Sequence, residues 1–388
     1  MKILLIHWQM AENNPFEFFN TELSLQFKAL GCIVSTLVFD DNFADKITNY
    51  EGLDLAISWQ GVASNICTDD GCNIWEKIKV PLVCLHGDHP CHKPANHSAD
   101  SVFVHHIYTA PSFAKYSNTY FKRSRPAIFQ MLPNFFRLKN DHHSSSGDFF
   151  VLPKNLDSVS ETLSKWGASL RPTTSQFLIE AAQVIMDDYD KNAFIDHHAT
   201  VDTLLTNEVF DRLKSENNVT DELALFHDLH KSLDKIYRNY ASEKVIEDLS
   251  DFPLKVVGRG WDKYKKRANK RHEFLDFDSV ASGNWQFSSS YGIVDIAPAA
   301  DSLHDRFFRA LAQNGAVTSN SLICNTGLLS GGLDSIFYRT NDGEGLRRTA
   351  EKILVARKEH LDSCKHLSRV YQEQYSFYNF YSFLTGLL

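Results

Sequence analysis

The chain has 388 residues, of which 43% are hydrophobic and 23% charged, and its formal net charge is −8. This length exceeds what one hydrophobic core usually serves, so the sequence predicts at least two domains. The negative charge argues against a partner that is nucleic acid, and no apolar run reaches the roughly 18 residues of a membrane span. Seven scattered cysteines fit a reduced, cytoplasmic protein better than a disulfide framework.

Residues 1–150 alternate between short apolar runs and helical patterns. KILLIHW, CIVSTLVFD, LDLAISW and PLVCLHGD are typical of strands, and Phe16 to Leu30 has the apolar spacing of a helix. Strands separated by helices predict a parallel sheet covered on both faces. Ligands of such sheets bind beyond the carboxyl ends of the strands. Polar residues stand at four of these ends: His7, Asp40, Trp59-Gln60-Gly61 and residues 86–89.

The second half begins with a long helical pattern and then alternates again. Residues 156–251 are almost wholly helical in spacing, and strand-like runs resume at Phe252. We predict an α/β protein with two Rossmann-like domains, 1–150 and 151–370, that face a cleft, the usual place for a ligand. A C-terminal helix, 371–388, is expected to pack back on the first domain. Its aromatic sequence leaves peripheral contact with a membrane surface as the alternative.

Residues 288–321 form the most informative stretch of the second half. Tyr291 to Ile296 is an apolar strand, a capped helix is expected over 303–313, and a new strand starts at Ala316. The free N–H groups and partial positive charge of a helix start favour an anion, and arginines beside it suit a phosphate or carboxylate. A solvated amphipathic helix is the alternative interpretation. The side chains concerned are His304, Arg306 and Arg309.

Residues 84–89, CLHGDH, approach the HxHxDH pattern of metallo-β-lactamase-like hydrolases, with a cysteine as the first ligand. Zinc needs three or four converging ligands of these types. However, Cys84 lies in an apolar run, and the later histidines match no zinc spacing. We favour a polar loop at a strand end, in which His86, Asp88 or His89 could position or deprotonate an acceptor hydroxyl. A purely structural turn is the alternative.

Three further motifs each allow a functional and a structural interpretation. Residues 330–335, SGGLDS, match the phosphate loop of PP-loop ATP pyrophosphatases, but too little chain follows for an adenine-binding domain, so we predict a flexible loop. Residues 258–261, GRGW, follow a strand directly, so Arg259 could meet a phosphate; a tight turn with a core Trp261 is the alternative. Asp196-His197-His198 is more typical of a helix cap than of a ligand set.

From about Leu229 onward the chain resembles the C-terminal domain of GT-B glycosyltransferases of the "glycosyl transferases group 1" type, which includes CgeB-like proteins. The resemblance rests on the order and spacing of FPLKVVGRGW, SSYGIVDIAP and LHDRFFRALAQNGAVTSNS. In the first half, PLVCLHGDHP is similar, more loosely, to the strand and D-x-P loop that such proteins place at the interdomain cleft.

This resemblance implies transfer of a sugar from a nucleotide-sugar donor to a saccharide or other glycoconjugate acceptor. It implies no bound metal and no other cofactor, because cationic side chains and helix N-termini would neutralise the leaving group. The acceptor's proton would pass to a base, for which Asp88 and His89 are the candidates. Carried over residue by residue, the donor-binding residues are Gly258, Arg259, Gly260, Tyr291, Gly292, His304, Arg306, Ser319 and Asn320.

Arg309 stands where this family often has a glutamate that holds the ribose hydroxyls. A guanidinium cannot accept those hydrogen bonds. We therefore expect Arg309 to contact an additional anionic group, or the ribose to be held elsewhere. Two alternatives to a glycosyltransferase remain: a metal-dependent hydrolase built on His86, Asp88 and His89, and a catalytically silent binding protein of GT-B shape.

Overall fold

The computed structural model describes residues 1–8, 15–136, 149–192, 196–267, 271–275, 290–297, 301–312, 315–320, 336–338 and 343–388. The described residues fall into two compact units. Unit 1 takes in those up to 136 and those from 366 onward, and unit 2 takes in those from 149 to 365. The loop predicted at residues 330–335 lies outside the described residues.

Unit 1 contains a six-stranded parallel sheet with the strand order β2-β1-β3-β4-β5-β6. Every residue of β3, β4 and β5 is buried, which explains why β3 and β4 are largely apolar runs rather than alternating ones. The elements are β1 (Lys2–Trp8), α1 (Pro15–Ala29), β2 (Ile33–Phe39), α2 (Phe43–Thr48), β3 (Leu55–Trp59), α3 (Ile74–Ile78), β4 (Leu82–His86), β5 (Val104–Tyr108), α4 (Pro111–Tyr120) and β6 (Ile128–Phe129).

Unit 2 contains a five-stranded parallel sheet with the order β11-β10-β7-β8-β9, and its first strand is followed by five helices. The remaining elements of the chain are β7 (Phe150–Pro153), α5 (Val159–Ser169), α6 (Pro172–Lys191), α7 (His197–Leu204), α8 (Asn207–Asn217), α9 (Glu222–Asp248), β8 (Leu254–Val257), α10 (Asp262–Arg267), β9 (His272–Leu275), β10 (Gly292–Asp295), α11 (Asp305–Ala312), β11 (Val317–Ser319), α12 (Gly343–Val355), α13 (Arg357–Gln374) and α14 (Phe377–Thr385).

The C-terminal helix α14 belongs to unit 1. The Phe377 ring lies 4.9 Å from that of Phe27 on α1, and the Tyr371 hydroxyl donates to the carbonyl of Leu132. Phe380 and Leu384 are buried on the same helix, so its aromatic residues serve the packing of unit 1. None of the helices in the described ranges is long and apolar enough to cross a membrane.

Each sheet has one switch point, at which the chain stops adding strands on one side of its first strand and starts adding them on the other side. In unit 1 the chain runs from β1 to β2 on one side and then returns to β3 on the other. In unit 2 it runs from β7 through β8 to β9 and then returns to β10 on the opposite side. Ligands of open parallel sheets bind beyond the carboxyl ends of the strands at such switch points. The fold thus singles out the ends of β1 and β3, and of β7 and β10.

Candidate functional site

Arg306 spans the switch point of unit 2. Its guanidinium donates to the carbonyl of Pro153, at the end of β7, over 2.9 Å. It also lies 3.7 Å from the carboxylate of Asp295, at the end of β10. Asp295 is fully buried, and its other oxygen accepts from the Ser319 hydroxyl over 3.1 Å. Contacts within unit 2 therefore hold the Arg306 guanidinium across the ends of β7 and β10.

Lys154 is a second cation at this edge, and the sequence analysis missed it. It is half-buried and directly follows β7. Burial lowers its pKa to about 7, helped by repulsion from the guanidinium groups of Arg306 and Arg238. A lysine with so low a pKa near two arginines is a candidate for a functional position. The available sequence signal was a charged residue immediately after the buried run FFVLP.

Arg309 already has a partner within its own helix. Its guanidinium donates to the Asp305 carboxylate over 3.1 Å, and only 6% of the residue is exposed. His304 Nδ1 lies 2.9 Å from the other Asp305 oxygen. Burial raises the pKa of Asp305, but the His304 ring and both arginines outweigh this, so the pKa lies well below its usual range. A donor anion would have to compete with Asp305 for Arg309, which favours a structural role for Arg309.

The Gly258–Trp261 segment forms a tight turn against the residues that follow β7. Arg259 N–H donates to the Asn155 side chain over 2.8 Å, and the indole of the fully buried Trp261 donates to the Lys154 carbonyl over 2.7 Å. The close approach that its glycines permit is to the chain's own backbone. This arrangement corresponds to the alternative interpretation of the segment, a tight turn with a core Trp261. The turn fixes the backbone of Lys154 beside the site.

The other predicted donor residues do not all come together. Tyr291 and Gly292 stand at the amino end of β10, where Gly292 pairs with Phe150, so they lie at the opposite edge of the sheet from Arg306. Because a strand displaces its two ends by about 3.3 Å per residue, the structure does not bring them together with Arg306, and their donor role stays a prediction. Asn320 is at the correct edge and accepts from Ala297 N–H over 2.7 Å, which supports the loop after β10.

Unit 1 carries a polar network at its own switch point. The Trp59 indole donates to the Asn20 carbonyl oxygen over 2.8 Å, so the Asn20 amide nitrogen faces His7 Nδ1 at 3.2 Å. His7 Nδ1 then accepts and Nε2 bears the hydrogen. Burial also lowers the pKa of His7, which keeps the ring neutral. In this tautomer His7 can donate a hydrogen bond to a bound hydroxyl but is not arranged to remove its proton.

Asp88 and His89, the predicted bases, have different surroundings. Asp88 is half-buried and accepts from the Gln60 side chain over 2.9 Å, next to the end of β3. His89 is 1% exposed, its Nδ1 accepts from Cys91 N–H, and its ring packs 4.2 Å from that of Tyr116. Asp88 is thus half-buried and oriented by a polar side chain, whereas the geometry favours a structural role for His89.

The structure does not assemble the zinc motif suggested by residues 84–89. Strand alternation points Cys84 and His86 into the core, where His86 Nε2 lies 3.0 Å from His106 Nδ1. Asp88 lies in the loop beyond the strand. Across the described ranges, Asp88 belongs to none of the groups of three His, Cys, Asp or Glu residues whose ligand atoms converge within 4.8 Å.

No protein-family model and no curated protein sequence matches the chain, whereas solved structures do. Anabaena HepE in complex with UDP and glucose aligns with a TM-score of 0.53 and 10% identity, over 97% of this chain and 95% of that chain. Phage T4 BGT in complex with its UDP-glucose substrate aligns with a TM-score of 0.51 and 10% identity, over 96% of each chain. At 10% sequence identity, the similarity to these structures is a similarity of fold. The chain has two parallel α/β sheets and the GT-B fold that was predicted from its sequence.

Proposed function

We propose that this protein is a glycosyltransferase that moves a sugar from a UDP-linked donor to an acceptor hydroxyl. The observation that carries the proposal is the placement of two cations, Arg306 and Lys154, at the switch point of unit 2, where a GT-B fold would hold its donor. UDP and glucose are the ligands in the HepE structure, and UDP-glucose is that in the T4 BGT structure.

Sugar transfer breaks the bond between the anomeric carbon and a phosphate oxygen. The departing diphosphate gains negative charge in the transition state, so cations placed beforehand at that oxygen lower the barrier. The Pro153 carbonyl holds the Arg306 guanidinium in place, and the Trp261 indole fixes the backbone from which the Lys154 side chain extends. These two side chains support the prediction that the transfer step needs no metal ion.

The acceptor hydroxyl must lose a proton as it attacks. Asp88 is the base we favour, because it is half-buried and Gln60 orients its carboxylate. His7 would hold the acceptor or the sugar through its Nε2–H. The acceptor is proposed to be a saccharide or glycoconjugate, since the net charge of −8 disfavours nucleic acid.

Replacing Asp88 with asparagine should lower turnover by at least about 100-fold while leaving donor affinity near that of the wild type, because only proton removal is lost. His89→Ala should mainly lower the melting temperature. Asp45→Asn, at an exposed position of α2, is the matched control. Near-normal turnover of Asp88→Asn would remove Asp88 from the mechanism.

A thermal-shift screen with UDP, GDP, CMP and TDP tests the donor class. A ligand that binds only the native state raises the melting temperature, so we expect UDP to give the largest shift. UDP-glucose turnover with and without a saccharide panel should follow. Nucleotide binding without turnover of any nucleotide sugar would favour the silent binding protein, and no nucleotide binding at all would contradict the proposal.

Donor affinity should depend on pH through Lys154. Its pKa of about 7 means that the ammonium is largely present at about pH 6 and largely lost at about pH 8. UDP-glucose, whose diphosphate diester does not titrate in this range, should therefore bind several-fold more tightly at the lower pH. Calorimetric titration checks this. Lys154→Arg keeps its charge at both values, so an unchanged pH dependence in that variant would exclude Lys154 as the cause.

A further inference from the structure

Three buried side chains of α7 and α9 converge within unit 2. His197 and His198 occupy the first turn of α7, after the capping residue Asp196, and Asp234 projects from α9. His197 Nε2 lies 2.8 Å and His198 Nε2 3.6 Å from the same oxygen, Asp234 Oδ1. Asp234 is fully buried and both histidines are less than a tenth exposed.

The groups behind these side chains determine where the hydrogens lie. His230 Nε2 is 3.1 Å from the carboxylate of Asp202 and must donate to it, so His230 Nδ1 bears a lone pair. That lone pair lies 3.1 Å from His198 Nδ1, which therefore carries the hydrogen. It follows that His198 Nε2 presents a lone pair toward Asp234.

A lone pair facing a carboxylate is unfavourable unless a cation lies between them. Neutral imidazole is the form that binds metals. Other polar groups facing Asp234 are Arg238, which pairs with Oδ2 over 2.7 Å, and Lys154, whose charge it partly offsets. Oδ1 is thus the oxygen directed at both histidines.

We propose that His197 Nε2, His198 Nε2 and Asp234 Oδ1 form a site for a divalent transition-metal ion of the zinc class. Tetrahedral bonds of about 2.0–2.1 Å separate ligand atoms by about 3.3 Å, between the two distances found here. The His198–His230–Asp202 chain provides the outer hydrogen bonds that metal-bound histidines normally have. The ion would join α7 to α9.

The experiment loads the full-length, chelator-treated protein with Co²⁺ and Zn²⁺. One equivalent of Co²⁺ should give a visible spectrum of nitrogen and oxygen ligands without the near-ultraviolet band of a thiolate. X-ray absorption of the Zn²⁺ form should show no sulfur ligand. Asp234→Asn and His198→Gln should each weaken binding at least about 10-fold, whereas His360→Gln, another buried histidine of unit 2, should not.

Cys84, His86 and His106 form another group whose ligand atoms converge, and the readout separates it from the proposed site. A thiolate band that disappears in Cys84→Ser would place the metal in unit 1 and overturn the proposal. So would an absence of stoichiometric binding, or binding unchanged in both triad variants. The spectra of the wild-type protein decide the ligand type even if a variant does not fold. None of these measurements depends on donor binding, so failure of the glycosyltransferase proposal would leave them interpretable.

Discussion

Arg306→Ala is expected to lower UDP-glucose turnover by roughly 10²–10³-fold, the usual effect of removing one fixed group that stabilises transition-state charge. The physical reason is the position of Arg306 across the ends of β7 and β10, where it bonds the Pro153 carbonyl and faces the buried Asp295. The loss should be larger in turnover than in UDP affinity, because the charge on the diphosphate grows as the sugar leaves. Steady-state kinetics and calorimetric binding of UDP measure the two quantities.

Two control variants are measured beside Arg306→Ala. Arg347→Ala removes a half-exposed arginine of unit 2 that pairs with Asp251, and should leave turnover unchanged. Arg306→Lys keeps the charge but not the two-pronged geometry, and should recover only part of the rate. If Arg306→Ala turned over donor at the wild-type rate while remaining folded, the donor site would not lie at this switch point.

Gly260→Ala is expected to destabilise unit 2 by about 3 kcal/mol or more, because two independent constraints exclude a side chain there. Gly260 has φ of +89°, a conformation that L-residues rarely adopt, and an added Cβ would lie 1.7 Å from the carbonyl oxygen of Leu156. The neighbouring backbone must move, and with it the turn that fixes Lys154. At about 2–4 °C per kcal/mol, the thermal midpoint should fall by roughly 6–12 °C.

Gly167→Ala is the matched control for this loss. Gly167 lies inside α5, and an added Cβ would meet nothing within 4 Å. Since alanine is a better helix former than glycine, the variant should be more stable by about 0.5–1 kcal/mol. Calorimetric or circular-dichroism melting of both variants tests the pair. Equal stability of Gly260→Ala and the wild type would show that the turn does not hold the end of β7.

Much of the architecture can be predicted from the sequence because it depends on local patterns of residues. Continuous apolar runs such as LAISW and PLVCLH predict buried parallel strands, and the periodicity of residues 156–251 predicts the helices that follow β7. Order and spacing along the second half also identified the GT-B fold, which the solved structures support. Arg306 could be selected because a helix start after a strand is itself a local signal.

The roles of individual site residues depend on tertiary contacts that no local pattern encodes. Arg309 looked like an anion ligand until its pairing with Asp305 became visible, and GRGW looked like a ligand loop although its glycines approach residues 154–156. Tyr291 and Gly292 were grouped with Arg306 by the resemblance to GT-B glycosyltransferases, yet β10 places them at the opposite edge of the sheet.

Lys154 and the His197–His198–Asp234 group depend on the same kind of information. Lys154 stands out in neither spacing nor composition, and its pKa is lowered by burial and by repulsion from Arg306 and Arg238, which only the tertiary structure reveals. The histidine pair resembled a helix cap because Asp234 lies 36 residues further along the chain than His198. Periodicity thus determined the elements and their order. Which side chains meet was decided by the tertiary structure, because ion pairing and burial depend on distances between residues far apart in sequence.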